Sequence, residues 1–199
     1  GSLGDINTFF FLLEQMSEIS GPMVLPLIMS LSALKEKCYL DVPFDNRMKN
    51  LLLYTIAEGT LEHKKTAFNL IDTFDDKDIL SACLNLLGED FELDDLIKSK
   101  IFRNADFIYL EIARSLNNNP KNLKNILELF LSTINHVKDF NLQPNISPMD
   151  IRNIVHGISG LLGHYNEEIR RSAMEILFEL DQESALLFLD VMSNDENNW

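Results

Sequence analysis

The chain has 199 residues, 46% of them hydrophobic, and carries 31 acidic against 17 basic side chains for a formal net charge of −14. That length suits one domain or two small ones, with material for a core. The charge argues against nucleic acid or an anionic membrane as the main partner, because both require a positive field.

Read in chain order, the periodicity is helical almost throughout. Gly1-Ser2 offers no basic segment of a signal peptide and reads as a protease-cleavage remnant, so the chain reads as a piece of a longer protein. Phe9, Phe10, Phe11, Leu12 and Leu13 make the first expected helix, near 5–19, apolar nearly all round. Either a local fold covers the excess, or it faces further repeats or another subunit. The run from Met23 to Leu34, broken by Pro26, Ser30 and Ser32, falls short of the ~20 residues a bilayer span needs, and is read as a second helix near 24–38. Helices are expected next near 46–58, 61–74, 77–87, 91–101 and 105–117. Leu123, Ile126, Leu127, Phe130, Leu131, Ile134 and Val137 then mark one face of a helix near 121–138. Three more follow near 149–162, 167–180 and 183–192, making about eleven. No segment alternates like a strand, and no hairpin dipeptide appears.

Punctuation sets these bounds. Gly59, Gly88 and Gly163 end apolar stretches where a left-handed residue is wanted, and Thr60, Asp90 and Asn166 follow as N-caps. Asn119-Pro120 reads as a cap with proline at the first helical position, and Ser147-Pro148-Met149-Asp150 as a capping-box variant. Asp139 to Pro148 is the longest irregular link and the best candidate for a projecting loop.

Candidate chemistry is sparse. Cys38 and Cys83, each in an apolar-periodic stretch, are too few for a disulfide framework and read as buried free thiols, which points to an intracellular protein. His63, His136, His156 and His164 lack metal-ligand spacing, so no metal or other cofactor is expected. Gly157, Gly160 and Gly163 follow no strand and read as close helix packing with a C-cap rather than a phosphate cradle. Two acidic clusters stand out, Asp72, Asp75, Asp76 and Asp78, then Glu89, Asp90, Glu92, Asp94 and Asp95. Neither has the glycine and glutamate of a calcium loop. They read as solvated caps near helix N-termini, or as an acidic ridge, Asp94 and Asp95 included, for a basic partner segment.

Three segments share a register. They are Thr60 to Ile71, Pro120 to Leu131 and Asn166 to Leu177. Each has a turn residue, two spacers, an apolar residue (once His63), a basic residue (Lys64, Lys124, Arg170), two spacers, a small or apolar residue (Ala67, Leu127, Ala173), two spacers and two apolar residues. The pattern resembles the HEAT repeat, in which a second helix opens with Asp or Asn, then Val or Ile, Arg and Ala at these spacings. Leu25-Pro26-Leu27-Ile28 is similar to the Leu-Pro-x-Leu of HEAT first helices.

The resemblance implies an all-α, right-handed α-solenoid of stacked hairpins over residues 1–199 as a single domain. It implies that the basic residues bond a turn of an adjacent repeat. It also implies that second helices line the concave side, placing Glu62, Lys65, Asn69, Asn125, Glu128, Glu167, Arg171 and Glu175 there. The function it implies is a non-enzymatic scaffold that binds another protein through a basic or hydrophobic segment. Tubulin-binding TOG domains are a more specific relative, but they use basic turns, and Glu58-Gly59-Thr60 and Gly88-Glu89-Asp90 are not basic. Helical-repeat DNA glycosylases are the enzymatic alternative, and they require a basic concave surface.

Overall fold

The amphipathic pattern of residues 123–137 forms a helix, and the same physics repeats along the chain. In the computed structural model, which describes residues 4–39, 44–70, 76–101, 105–116, 118 and 120–193, eleven α-helices occur among the described residues. They are α1 Ile6–Gln15, α2 Val24–Cys38, α3 Asn46–Glu58, α4 Leu61–Leu70, α5 Lys77–Leu86, α6 Phe91–Ile101, α7 Ala105–Leu116, α8 Leu123–Asp139, α9 Pro148–Ser159, α10 Glu167–Leu180 and α11 Gln182–Ser193. There is no strand among these residues. No helix of the described residues is long and apolar enough to cross a membrane.

Side-chain caps start most of these helices. Asp5, Asp45 and Asp76 accept backbone N–H groups at the starts of α1, α3 and α5. Asp90 accepts from the Leu93 amide at 3.0 Å, Asn166 from Glu168 at 2.9 Å and Asp181 from Ser184 at 3.1 Å. Ser147 accepts the Asp150 amide at 3.1 Å while its hydroxyl donates to that carboxylate at 2.6 Å. Thr60 and His63 cap α4 reciprocally: the Thr60 amide donates to His63 Nδ1 at 3.3 Å, and the His63 amide donates to Thr60 Oγ1 at 3.4 Å. This explains a histidine in a position otherwise apolar.

Some bounds differ from the sequence reading. Proline 120 stands outside α8, in a turn closed by the Leu123 amide on its carbonyl at 3.3 Å, and Asn122 is the N-cap. Asn119 lies outside the described residues. Of the three glycines expected to be left-handed, only Gly88 is, with φ 91°. Gly59 has φ −77°, and what requires glycine there is space: a Cβ would lie 2.4 Å from the Thr55 carbonyl oxygen. Neither Gly160 nor Gly163 has any atom within 4 Å of where a Cβ would stand, so neither permits a close helix approach. Instead α9 tightens into a 3-10 turn over Gly160–Gly163. After α8, Asn141 takes the left-handed conformation (φ 50°), with the Leu142 amide on the Val137 carbonyl and the Asn141 amide on Lys138, a Schellman motif without glycine. Cys83 is buried as expected, whereas Cys38 is only half-buried, near the end of α2.

The chain forms two compact units, residues 1–103 and 104–199. In the first, α1 packs on α2, α2 on α4, α4 on α6 and α3 on α5, around Phe9, Ile28, Leu31, Met48, Leu52 and Phe68. In the second, α7 packs on α9 and α8 on α10, with α9 and α11 also against α10, around Ile126, Phe130, Ile158, Ala173 and Ile176. Tyr109 meets the Phe130 ring edge-on at 5.1 Å, and burial pushes its phenol up to about 12.

Within each unit, ion pairs join like ends of helices two apart in sequence: α3 with α5, α4 with α6 and α8 with α10. Lys124 and Glu168 join the starts of α8 and α10, and Lys138 and Glu179 join their ends. Lys49, in the first turn of α3, holds Asp76 at 2.8 Å and Asp78, at the start of α5.

Candidate functional site

The acidic clusters face lysines from a neighbouring helix. Lys64 holds Glu89 at 2.9 Å, and Lys65 holds Asp90 at 2.8 Å and Glu92 at 2.5 Å. These lysines sit beneath their glutamate partners: the Lys64 side chain is 12% exposed against 48% for Glu89, and that of Lys65 23% against 75% for Glu92. Hydrogen bonds from the lysine raise the pKa of Lys65 and lower that of Asp90. Asp94 accepts the Gly88 amide at 3.0 Å and so closes the turn before α6, while Asp95 is exposed. Asp72 and Asp75 lie outside the described residues.

The three basic residues of the shared register divide in role. Lys64 reaches Glu89 before α6, and Lys124 reaches Glu168 at 2.8 Å on α10, each a carboxylate at the helix two further on. Arg170 turns instead to its own preceding turn, donating to the carbonyls of His164 at 2.7 Å and Tyr165 at 3.2 Å. That turn is fixed further by the Asn166 amide on His164 Nδ1 at 3.1 Å and by the Tyr165 ring stacked on the imidazole. Thus His63 and His164 serve local backbone bonding, and His156 is exposed. Among the described residues no group of three His, Cys, Asp or Glu side chains could hold a metal ion.

Two cavities bear on function. One, of about 360 Å³ in the first unit, is lined by Ser17, Ser20, Asn46, Asn50 and Arg47 among others. Its arginine is already committed to Asp45, at 2.6 and 2.9 Å, and to the Leu13 carbonyl. The other, of about 470 Å³, runs along the outward side of α10 in the second unit. Its apolar wall is Leu162, Met174, Phe178 and Leu189; Glu167, Arg170, Arg171 and Glu175 edge it. Its size suits a bound side-chain cluster or small ligand.

The groove follows from the helix pattern. Ile169, Ala173, Ile176 and Leu177 are buried and form the inner stripe of α10. Met174 and Phe178, four apart, fall on the opposite side and are half-exposed. Leu162 from the 3-10 turn and Leu189 from α11 flank them.

The structure therefore brings together three of the sequence-selected residues, Glu167, Arg171 and Glu175, all exposed. Asn125 is half-buried and Glu128 exposed on α8, where Glu128 lies 3.9 Å from Lys124. Glu62, Lys65, Asp94 and Asp95 belong to the first unit, with Glu62 exposed on α4. Sequence reading passed over Met174, Phe178 and Leu189. The signal for the first two was present, since both are large apolar residues off the buried stripe. No family model, curated protein or solved structure matches the chain.

Proposed function

We propose that the chain is a HEAT-like helical-repeat module, without enzymatic activity, that binds another protein through the outward face of α10. The observation that carries this reading is the groove itself: Met174 and Phe178 stand half-exposed between the charged Glu167, Arg171 and Glu175. Apolar anchors inside a polar rim are what a partner surface offers. The repeat reading is supported by the packing of α4 on α6 and of α8 on α10 and by the matched use of Lys64 and Lys124 across these pairs. Free thiols at Cys38 and Cys83 agree with an intracellular setting.

Site-specific photo-crosslinking tests it. A photoreactive residue at position 175 should give one discrete adduct, mapped by mass spectrometry to a single partner segment, and Met174→Asp should abolish it. The same residue at position 95 should give none. Absence of an adduct at 175, or equal adducts at both positions, would remove the reading.

A further inference from the structure

Arg171 is the counterpart of Lys65. The segments 60–71 and 166–177 share a register, and each of these residues directly follows the basic residue of that register, Lys64 or Arg170. Lys65 holds Asp90 and Glu92 at the start of α6, the helix that packs beside α4. Three residues on, Phe68 is fully buried. On α10 the same two places are taken by Arg171 and Met174, and both are open. Arg171 is exposed and makes no hydrogen bond or ion pair with a described residue. It acts electrostatically on Glu168, whose carboxylate Lys124 already holds. Among the described residues α8, α9 and α11 pack on α10, and none of them fills the groove.

We propose that this groove receives an amphipathic helix of a partner protein, laid parallel to α10 as α6 lies on α4. Its acidic first turn meets Arg171, and its apolar side chains at i, i+3 and i+4 meet Met174, Phe178 and Leu189. The proposal rests on the partner-binding reading of the same groove. Charge complementarity sets the polarity of the occupant. Arg171 requires carboxylates at the N-terminal end, where a helix favours them on its own account. Glu175, one turn further along α10, favours lysine or arginine after them. Acid before base is also the order within α6, with Glu92 and Asp94 in its first turn and Lys98 and Lys100 in its last.

The test is selection of a displayed library of helical peptides on the intact chain, with enriched peptides then assayed against variants. The expected binders carry Asp or Glu in the first turn, followed by apolar residues at helical spacing. Arg171→Glu should weaken them roughly tenfold or more, and Arg171→Lys by no more than about threefold, since the pairing is one of charge. A peptide with lysines in its first turn should recover binding to Arg171→Glu. Circular dichroism of each variant checks that the fold is intact. Peptides lost on Met174→Asp but indifferent to Arg171→Glu would overturn the acidic-turn helix and leave the groove as a binding site. Peptides indifferent to both, or no enrichment, would overturn the groove reading as well. A dimer in light scattering that Met174→Asp returns to monomer would assign the groove to a second copy and overturn the partner helix.

Discussion

Lys124 on α8 holds Glu168 on α10 at 2.8 Å, tying together the starts of two helices that lie two apart in the chain. The pair sets the register of one helix against the next, as Lys64 and Glu89 do in the first unit. The Lys124 ammonium keeps the Glu168 carboxyl below its ordinary value, and the carboxylate raises the lysine in turn. A depressed carboxyl contributes stability that is fully present above its unfolded value and is lost as pH falls through the folded one. A double-mutant cycle of Lys124→Met and Glu168→Gln should therefore show favourable coupling at neutral pH. The coupling should vanish well below pH 4 and shrink in high salt, because both side chains are about half exposed. Coupling that persists in acid would mean that packing, not charge, joins these ends.

Aspartate caps make the fold acid-sensitive in the same direction. At Asp76 burial works to raise the carboxyl, but the Lys49 ammonium and the amides of Ile79 and Asp78 outweigh it and hold the group low. Asp45, beside the Arg47 guanidinium, is lowered too, as is Asp181 by the Ser184 hydroxyl and amide. Stability from these groups is complete above the ordinary aspartate value and drains away as pH falls below it. Asp76→Ala should cost about 1 kcal/mol for the cap alone at pH 7 and less than that at pH 2.5, as read from urea midpoints. An equal cost at both pH values would deny the carboxylate its role.

The helices were legible because their periodicity and caps are local. Leu123 to Val137 declares its face within fifteen residues, and Thr60, Asp90 and Asn166 stand where caps belong. What eluded the sequence was long-range. Lys49 meets Asp76 across 27 residues and Lys64 meets Glu89 across 25, so the acidic clusters looked bare until the helices were stacked. The end of α8 was placed within one residue, but the left-handed turn after it was not foreseen, because Asn141 does there what glycine usually does. The groove needed α11 beside α10 to bring Leu189 toward Phe178, which no pattern within α10 contains.

The apolar first helix separates into two roles. Phe9 is fully buried and Leu13 and Met16 nearly so, whereas Phe10 and Phe11 are 51% and 57% exposed. Phe9→Ala should destabilise by about 3–5 kcal/mol. Phe11→Ser should change stability by no more than about 0.5 kcal/mol, because among the described residues most of that ring is left unpacked. Chemical denaturation of the two variants compares them directly. A large loss from Phe11→Ser would place that ring in contacts that its exposure denies.

On α10, neighbouring residues should respond in opposite ways. Ala173 is fully buried in the inner stripe of α10, so a larger side chain there must displace its neighbours. Ala173→Leu should therefore cost about 1–3 kcal/mol through overpacking. Met174, the next residue, points into the groove and is half-exposed, so folding draws little from it. Met174→Ser should cost well under the roughly 2–5 kcal/mol that truncating a buried methionine costs. It should nevertheless abolish the crosslink from position 175. Thermal melts and the crosslinking yield, measured on the same preparations, separate the two effects. If Met174→Ser melts the second unit as Ala173→Leu does, the groove residues belong to the core, and the outward face of α10 is not a surface kept for a partner.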